Sequence, residues 1–212
     1  MKRLLICAMS AWMLGMATAA HAQTSEFMLR GFADIGSTTF TAERSFEAVL
    51  GDAGGTVWGG GVDVVLPFQI FVDLRASQYK QTGERVFLHQ GQQFNLGIPT
   101  TVTVTPLTLV GGYRADFGWR IVPYAGGGIG WHRYRETSQF AEASENVDER
   151  FQGYHLLGGA EFRLARWIGT AFEAEWSTVP DALGGDANSV SKEFNETDLG
   201  GVTFRVKIVI GS

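Results

Sequence analysis

Beyond a leader, the chain alternates apolar and polar residues with a period of two, run after run. Phe27, Leu29, Gly31, Ala33 and Ile35 share one parity; Met28, Arg30, Phe32, Asp34 and Gly36 share the other. Such alternation sends successive side chains to opposite faces of a strand. The pattern predicts eight strands, over about Glu26–Thr39, Thr56–Leu66, Gln69–Tyr79, Thr101–Arg114, Ile121–Arg135, Phe151–Leu164, Ile168–Thr178 and Gly200–Ile210. Pro106 weakens the upper half of the fourth, because proline has no N–H to give to a ladder.

The connections alternate as well. Short links fall at Pro67-Phe68, Asp116–Arg120 and Ala165-Arg166-Trp167. Long ones cover Phe40–Gly55, Lys80–Thr100, Glu136–Arg150 and Val179–Leu199. Tight turns at one end and long loops at the other are the habit of an up-and-down barrel in an outer membrane. The expected fold is therefore all-β: an antiparallel, up-and-down, eight-stranded transmembrane β-barrel.

Sidedness can be read strand by strand. Trp58, Val62 and Val64 oppose Asp63; Ile70, Val72 and Leu74 oppose Asp73 and Arg75; Phe172, Ala174 and Trp176 oppose Glu173 and Glu175. On the last strand Val202, Phe204, Val206, Ile208 and Ile210 oppose Thr203, Arg205, Lys207 and Val209. Two assignments are open: the apolar face toward lipid, or turned inward in a soluble, lipocalin-like periplasmic carrier of an apolar ligand. Charges of both signs mixed with glycine suit a crowded interior. Aromatic residues also gather at strand ends. Phe68, Phe117, Trp119 and Trp167 lie near the short turns, and Trp58, Tyr79, Trp131, Phe151 and Trp176 near the long loops, as two girdles would require.

Composition narrows the setting. Lys2 and Arg3, an apolar stretch over Leu4–Ala20 and the small-x-small site Ala20-His21-Ala22 read as a signal peptide over residues 1–22, cleaved before Gln23. Residues 23–212 then form one barrel domain. The single cysteine, Cys7, leaves with the leader, so no disulfide or thiol chemistry is expected. Whole-chain charge is −5, falling to about −7 without Lys2 and Arg3, which argues against nucleic acid as a partner.

Three segments carry a resemblance: Pro123-Tyr124-Ala125-Gly126-Gly127-Gly128-Ile129-Gly130, Leu157-Gly158-Gly159-Ala160-Glu161-Phe162 and Leu199-Gly200-Gly201-Val202-Thr203-Phe204-Arg205-Val206. The chain resembles the small eight-stranded outer-membrane β-barrel family, which includes the barrel of outer membrane protein A and opacity-type proteins. The resemblance spans the mature chain and implies a monomer in the bacterial outer membrane, among lipid and lipopolysaccharide, placed there by the outer-membrane insertion machinery. One departure is the end, Ile208-Val209-Ile210-Gly211-Ser212, where family members carry a terminal aromatic.

Eight strands leave an interior just wide enough for side chains, and charges there need partners. The inward set holds acids Asp34, Asp63, Asp73, Glu161, Glu173 and Glu175 and bases Arg30, Arg75, Arg114, Arg163, Arg205 and Lys207. Closure sets strand eight between seven and one. That predicts a lumen charge network of Asp34, Asp73, Arg75, Glu173, Glu175 and Arg205, with Arg205 between Glu173 or Glu175 and Asp34. A gated polar channel through the same residues is the rival reading.

Catalytic and metal chemistry find little support. No His-x-x-x-His or Cys-x-x-Cys spacing occurs, and Gly126–Gly130 lacks the Gly-Lys-Ser/Thr ending of a phosphate loop. His155, Ser177 and Glu175 could mimic a hydrolytic set across adjacent strands, but three polar residues in a polar lumen are ordinary. Acids crowd the outer loops: Glu142, Glu145, Asp148 and Glu149 in the third, Asp181, Asp186, Glu193, Glu196 and Asp198 in the fourth. They read as a solvated surface, or as a seat for a divalent cation. In the first loop Phe46, Val49 and Leu50 share a side at helical spacing, predicting a short helix over the mouth. Val86–Leu96 alternates around Gly91 and predicts a hairpin. The expected role is structural or surface-interactive, without enzymatic activity or cofactor; a small pore is the other membrane reading.

Overall fold

A computed structural model of the chain describes residues 27–89, 92–139, 146–184 and 189–211. The leader, Glu142, Glu145, Asp186 and Gly91 lie outside the described residues. Eight antiparallel strands close into a barrel in sequence order: β1 (Met28–Phe40), β2 (Gly54–Val65), β3 (Ile70–His89), β4 (Gln92–Arg114), β5 (Ile121–Ser138), β6 (Val147–Ala165), β7 (Ile168–Thr178) and β8 (Gly201–Gly211). Closure comes from β8 pairing with β1, which sets Arg205 opposite Gly36 and Lys207 opposite Asp34. Closure leaves the barrel wall itself without a free sheet edge.

The apolar parity faces outward. Ile35, Leu156, Phe204 and Ile208 are each more than half exposed, whereas Arg205 and Lys207 on the alternate positions retain 5% and 4% of their surface. A soluble protein does not leave such a belt in water. The lipocalin-like carrier reading is thereby corrected, since the Val/Leu/Ile face is not turned inward. Phe68, Phe117, Trp119 and Trp167 ring the short-turn end, and Trp58, Trp131 and Trp176 the other. Tyr79 and Phe151 do not join that ring. Their parity is the inward one, and both pack into an apolar cluster at the mouth.

The second long connection is largely strand, and the third is strand at both of its ends. β3 and β4 continue as a paired ladder from Glu84–Pro99 up to His89–Gln92, with an irregularity between Glu84 and Val86. β5 and β6 pair as far as Glu136 and Val147. The ladder runs through Pro106, which pairs with His132 on β5. On its other side the β3 pairing lapses between Ala76–Leu107 and Tyr79–Val104, where an N–H is missing. In the first loop α1 (Glu43–Leu50) buries Phe46 and Leu50 and ends on Gly51, whose φ of 78° suits glycine. The fourth loop holds one helical turn, α2 (Val190–Glu193).

The lipid face gives a direct test. Val206→Arg near mid-height of β8 should lower folding stability in phospholipid vesicles by about 2–4 kcal/mol, the usual cost of arginine at the bilayer midplane. Urea titration of refolding would read it, and an unchanged midpoint would contradict the orientation.

Candidate functional site

The lumen is filled by side chains in stacked levels, and pleating sets their order. On every strand the inward residues recur two positions apart, so each strand contributes one residue per level about 7 Å from the next. Near the short-turn end Arg30 of β1 donates to Glu161 of β6 at 3.0 and 2.9 Å and to Asp63 of β2. Arg114 of β4 adds a 3.0 Å bond to the same Glu161 and stands 3.7 Å from Asp63. Two arginines thus meet two carboxylates. An apolar patch of Val65, Phe71, Val110 and Leu157 lies among them.

The next level is larger. Arg75 of β3 crosses the lumen to β7, donating to Glu173 at 2.7 and 3.2 Å and to Glu175 at 3.2 Å. Its remaining contacts are Asp73 and Asp34, each at 3.5 Å. Arg205 donates to Glu175 at 2.8 Å and lies 3.6 Å from Asp34 and 3.7 Å from Glu173. Lys207 bonds Asp73 at 3.1 Å and Glu173 at 3.2 Å, with its ammonium 4.1 Å from the centre of the Phe32 ring. All six residues named from the sequence, Asp34, Asp73, Arg75, Glu173, Glu175 and Arg205, therefore meet in one cluster. Lys207 belongs to it too, as does Tyr124, whose hydroxyl donates to Glu173 at 3.0 Å. Tyr124 reaches there by lying over Gly159, where a Cβ would come within 2.7 Å of the phenol.

Above this cluster the rings of His132 and His155 stack, 5.1 Å apart and 4° from parallel. His155 Nδ1 is 3.1 Å from Glu175 Oε1, so half of the imagined hydrolytic set exists. The other half does not: Ser177 Oγ turns to β8, donating to Gly201 O and accepting from its N–H. Higher still, Phe40 stacks on Phe46 of α1 at 4.0 Å and meets Tyr79 edge-on at 4.9 Å. Val102, Val104, Val179 and Leu199 complete an apolar cap.

Both ends are tied by polar groups. Glu196 of the fourth loop accepts from the Arg44 and Ser45 N–H groups at 3.2 and 2.9 Å and from the Ser45 hydroxyl at 2.6 Å. It caps the start of α1 from a distance and favours the helix dipole. Asp198 accepts from Val179 N, Gly200 N and the Thr178 hydroxyl. These two loop acids thus serve the backbone, and among the described residues no three metal-binding side chains converge. At the opposite end, Gln69 and the Asp116 backbone exchange bonds of 3.1 and 2.9 Å. Asp116 also takes the Arg163 guanidinium through both carboxylate oxygens. Two short turns and the end of β6 are thereby laced together. Sequence reading missed this lacing, Glu196 and Tyr124, because each joins residues far apart along the chain.

No protein-family model matches the sequence, and no curated protein does. Among solved structures, the chain superposes on a major outer membrane protein of Thermus thermophilus with a TM-score of 0.55, at 10% identity over 87% of this chain and 99% of that one. Neisserial surface protein A gives 0.52, at 8% identity over 88% and 97%. The chain has the fold of a small outer-membrane β-barrel. With that fold and a girdled apolar belt, its site is the bacterial outer membrane.

Two predictions follow from the polar cores. Arg75→Met leaves Glu173, Glu175 and Asp34 short of a cation and should cost about 3–5 kcal/mol of stability. Adding Glu173→Gln should restore part of that loss, a coupling that a double-mutant cycle by urea unfolding measures. At the short-turn end, burial would raise the Asp116 carboxyl. Its Arg163 bond, the Gly118 N–H and the charge on Arg163 outweigh burial and hold it below its ordinary 3.8. The clamp therefore contributes stability above that pH and loses it as pH falls through the lower folded value. Asp116→Asn should remove that acid-range slope from stability measured between pH 5 and about pH 2.

Proposed function

We propose that the protein is a monomeric, plugged outer-membrane barrel that stabilises the cell envelope and presents its long-loop end to the exterior. The mature chain begins at Gln23 after removal of residues 1–22, and the outer-membrane insertion machinery places it among lipid and lipopolysaccharide. The observation that carries this reading is the obstruction of the lumen at three heights. Two ion-paired levels and the cap beneath α1 lie one above another. Any ion passing through would have to part buried pairs, which costs several kcal/mol each time.

The Glu173–Arg75–Glu175 group has the character of a structural plug. Its members answer one another and offer no reacting atom to a substrate. Enzymatic activity is not part of this reading, and no cofactor is required. Variation in chemistry resides in the extracellular ladder and loops, where surface interaction would take place.

Planar-bilayer recording tests the plug against a small pore. The reconstituted protein should show no steady large conductance. A stable open level of porin size would overturn the plug and favour a pore through the same residues.

A further inference from the structure

The plug leaves one charged feature unused, on the outside of the barrel. Above Trp131 the outward residues of β5 are Arg133 and Arg135. Arg150 of β6 stands directly opposite Arg133, and Asp148 opposite Arg135. One row across, Arg135 pairs with Thr103 of β4, which pairs with Lys80 of β3. Four cations thus share an exposed face with Asp148, and Glu84 lies two outward steps above Lys80. Asp148 accepts from Arg133 at 2.7 and 2.6 Å and from Arg135 at 3.1 Å, tying the two guanidiniums side by side. Among the described residues, Arg150 and Lys80 have no ion pair.

This arrangement runs against the chain as a whole, whose net charge is −5. Like charges directly opposite one another on paired strands repel, and Arg133 and Arg150 are so placed. An anion between them turns that repulsion into attraction. The height is informative too. Arg133 is one outward step above Trp131, about 7 Å along the strand, where hydrocarbon gives way to headgroups. Round the barrel at this height the outward residues of β1 and β2 are Ser37, Thr39 and Thr56, without charge.

We propose that this face of β3–β6 binds the phosphorylated sugar headgroup of lipopolysaccharide in the outer leaflet. The proposal rests on the outer-membrane orientation given above. Guanidinium forks match phosphate oxygens two at a time. The outward hydroxyls of Thr103 and Thr105, on β4 between Lys80 and the arginines, suit a saccharide better than a simple phospholipid headgroup. Asp148 acts as a positioning residue that keeps Arg133 and Arg135 parallel.

The test uses the full protein refolded into neutral phosphatidylcholine vesicles, titrated with diphosphorylated lipid A. Replacing Lys80, Arg135 and Arg150 together by serine should weaken binding at least about tenfold, as the loss of three exposed charge contacts implies. Dephosphorylated lipid A should bind the wild type as weakly as the variant binds intact lipid A. Equal binding by variant and wild type overturns the proposal. So does equally tight binding of the wild type to phosphatidylglycerol, which would make the site one for phospholipid phosphate. Should the triple variant fail to fold, as judged by heat-modifiability on a gel, the wild type still decides: binding that does not weaken with added salt overturns the proposal. Failure of the wild type to float with vesicles, visible before any lipid A is added, would overturn the outer-membrane reading instead.

Discussion

Everything in this barrel depends on charges that have nowhere else to go. An inward side chain on an eight-stranded barrel cannot reach lipid and cannot readily reach water. Its counter-ion must come from another strand at the same height. Arg75 on β3 finds Glu173 and Glu175 on β7, across the lumen, and Arg30 on β1 finds Glu161 on β6. These contacts bridge the interior where strand pairing cannot. They fix how strands not adjacent to one another are held, and so the cross-section of the cylinder.

The two ends solve a different problem, and solve it differently. At the short-turn end little chain is available, and the closure is polar: Gln69, Asp116 and Arg163 lace two turns and the end of β6. At the long-loop end there is chain to spare, and the closure is apolar. Phe40, Phe46 and Tyr79 pack beneath α1, and a single carboxylate from a distant loop, Glu196, holds the helix start. A helix as short as α1 is marginal alone. It persists because Phe46 and Leu50 are buried and because Glu196 satisfies N–H groups that no residue of the first loop satisfies.

Strand positions, sidedness and the alternation of link lengths were legible because period two is a local property. Each strand announces its inward residues without reference to its neighbours. Adjacency also follows from chain order, so Arg205 beside Glu173 could be derived from β7 preceding β8. What could not be derived is how far the register shears round the barrel. That shear decides which level a residue joins, and so separates Arg30, Asp63, Arg114 and Glu161 from the group around Arg75. It also brings Tyr124 over Gly159. The extension of β3–β4 was legible as alternation around Gly91; that of β5–β6 was harder to see, since there neither face is buried and alternation loses its meaning. The girdle assignment of Tyr79 and Phe151 erred for a related reason: nearness to a strand end was weighed above parity.

Taken together, the charges fall into three environments with different rules. In the lumen they are close to balanced, because an excess would be uncompensated in a poorly solvated space. At the loops Glu196 and Asp198 are spent on backbone N–H groups, because a loop crossing a barrel mouth exposes more donors than strand pairing can satisfy. On the outward face of β5 and β6 the excess is positive and one-sided. No internal demand explains it, since these side chains point away from every group the fold must satisfy. Among the described residues Asp148 answers part of it, and the headgroup contact proposed above would supply the rest.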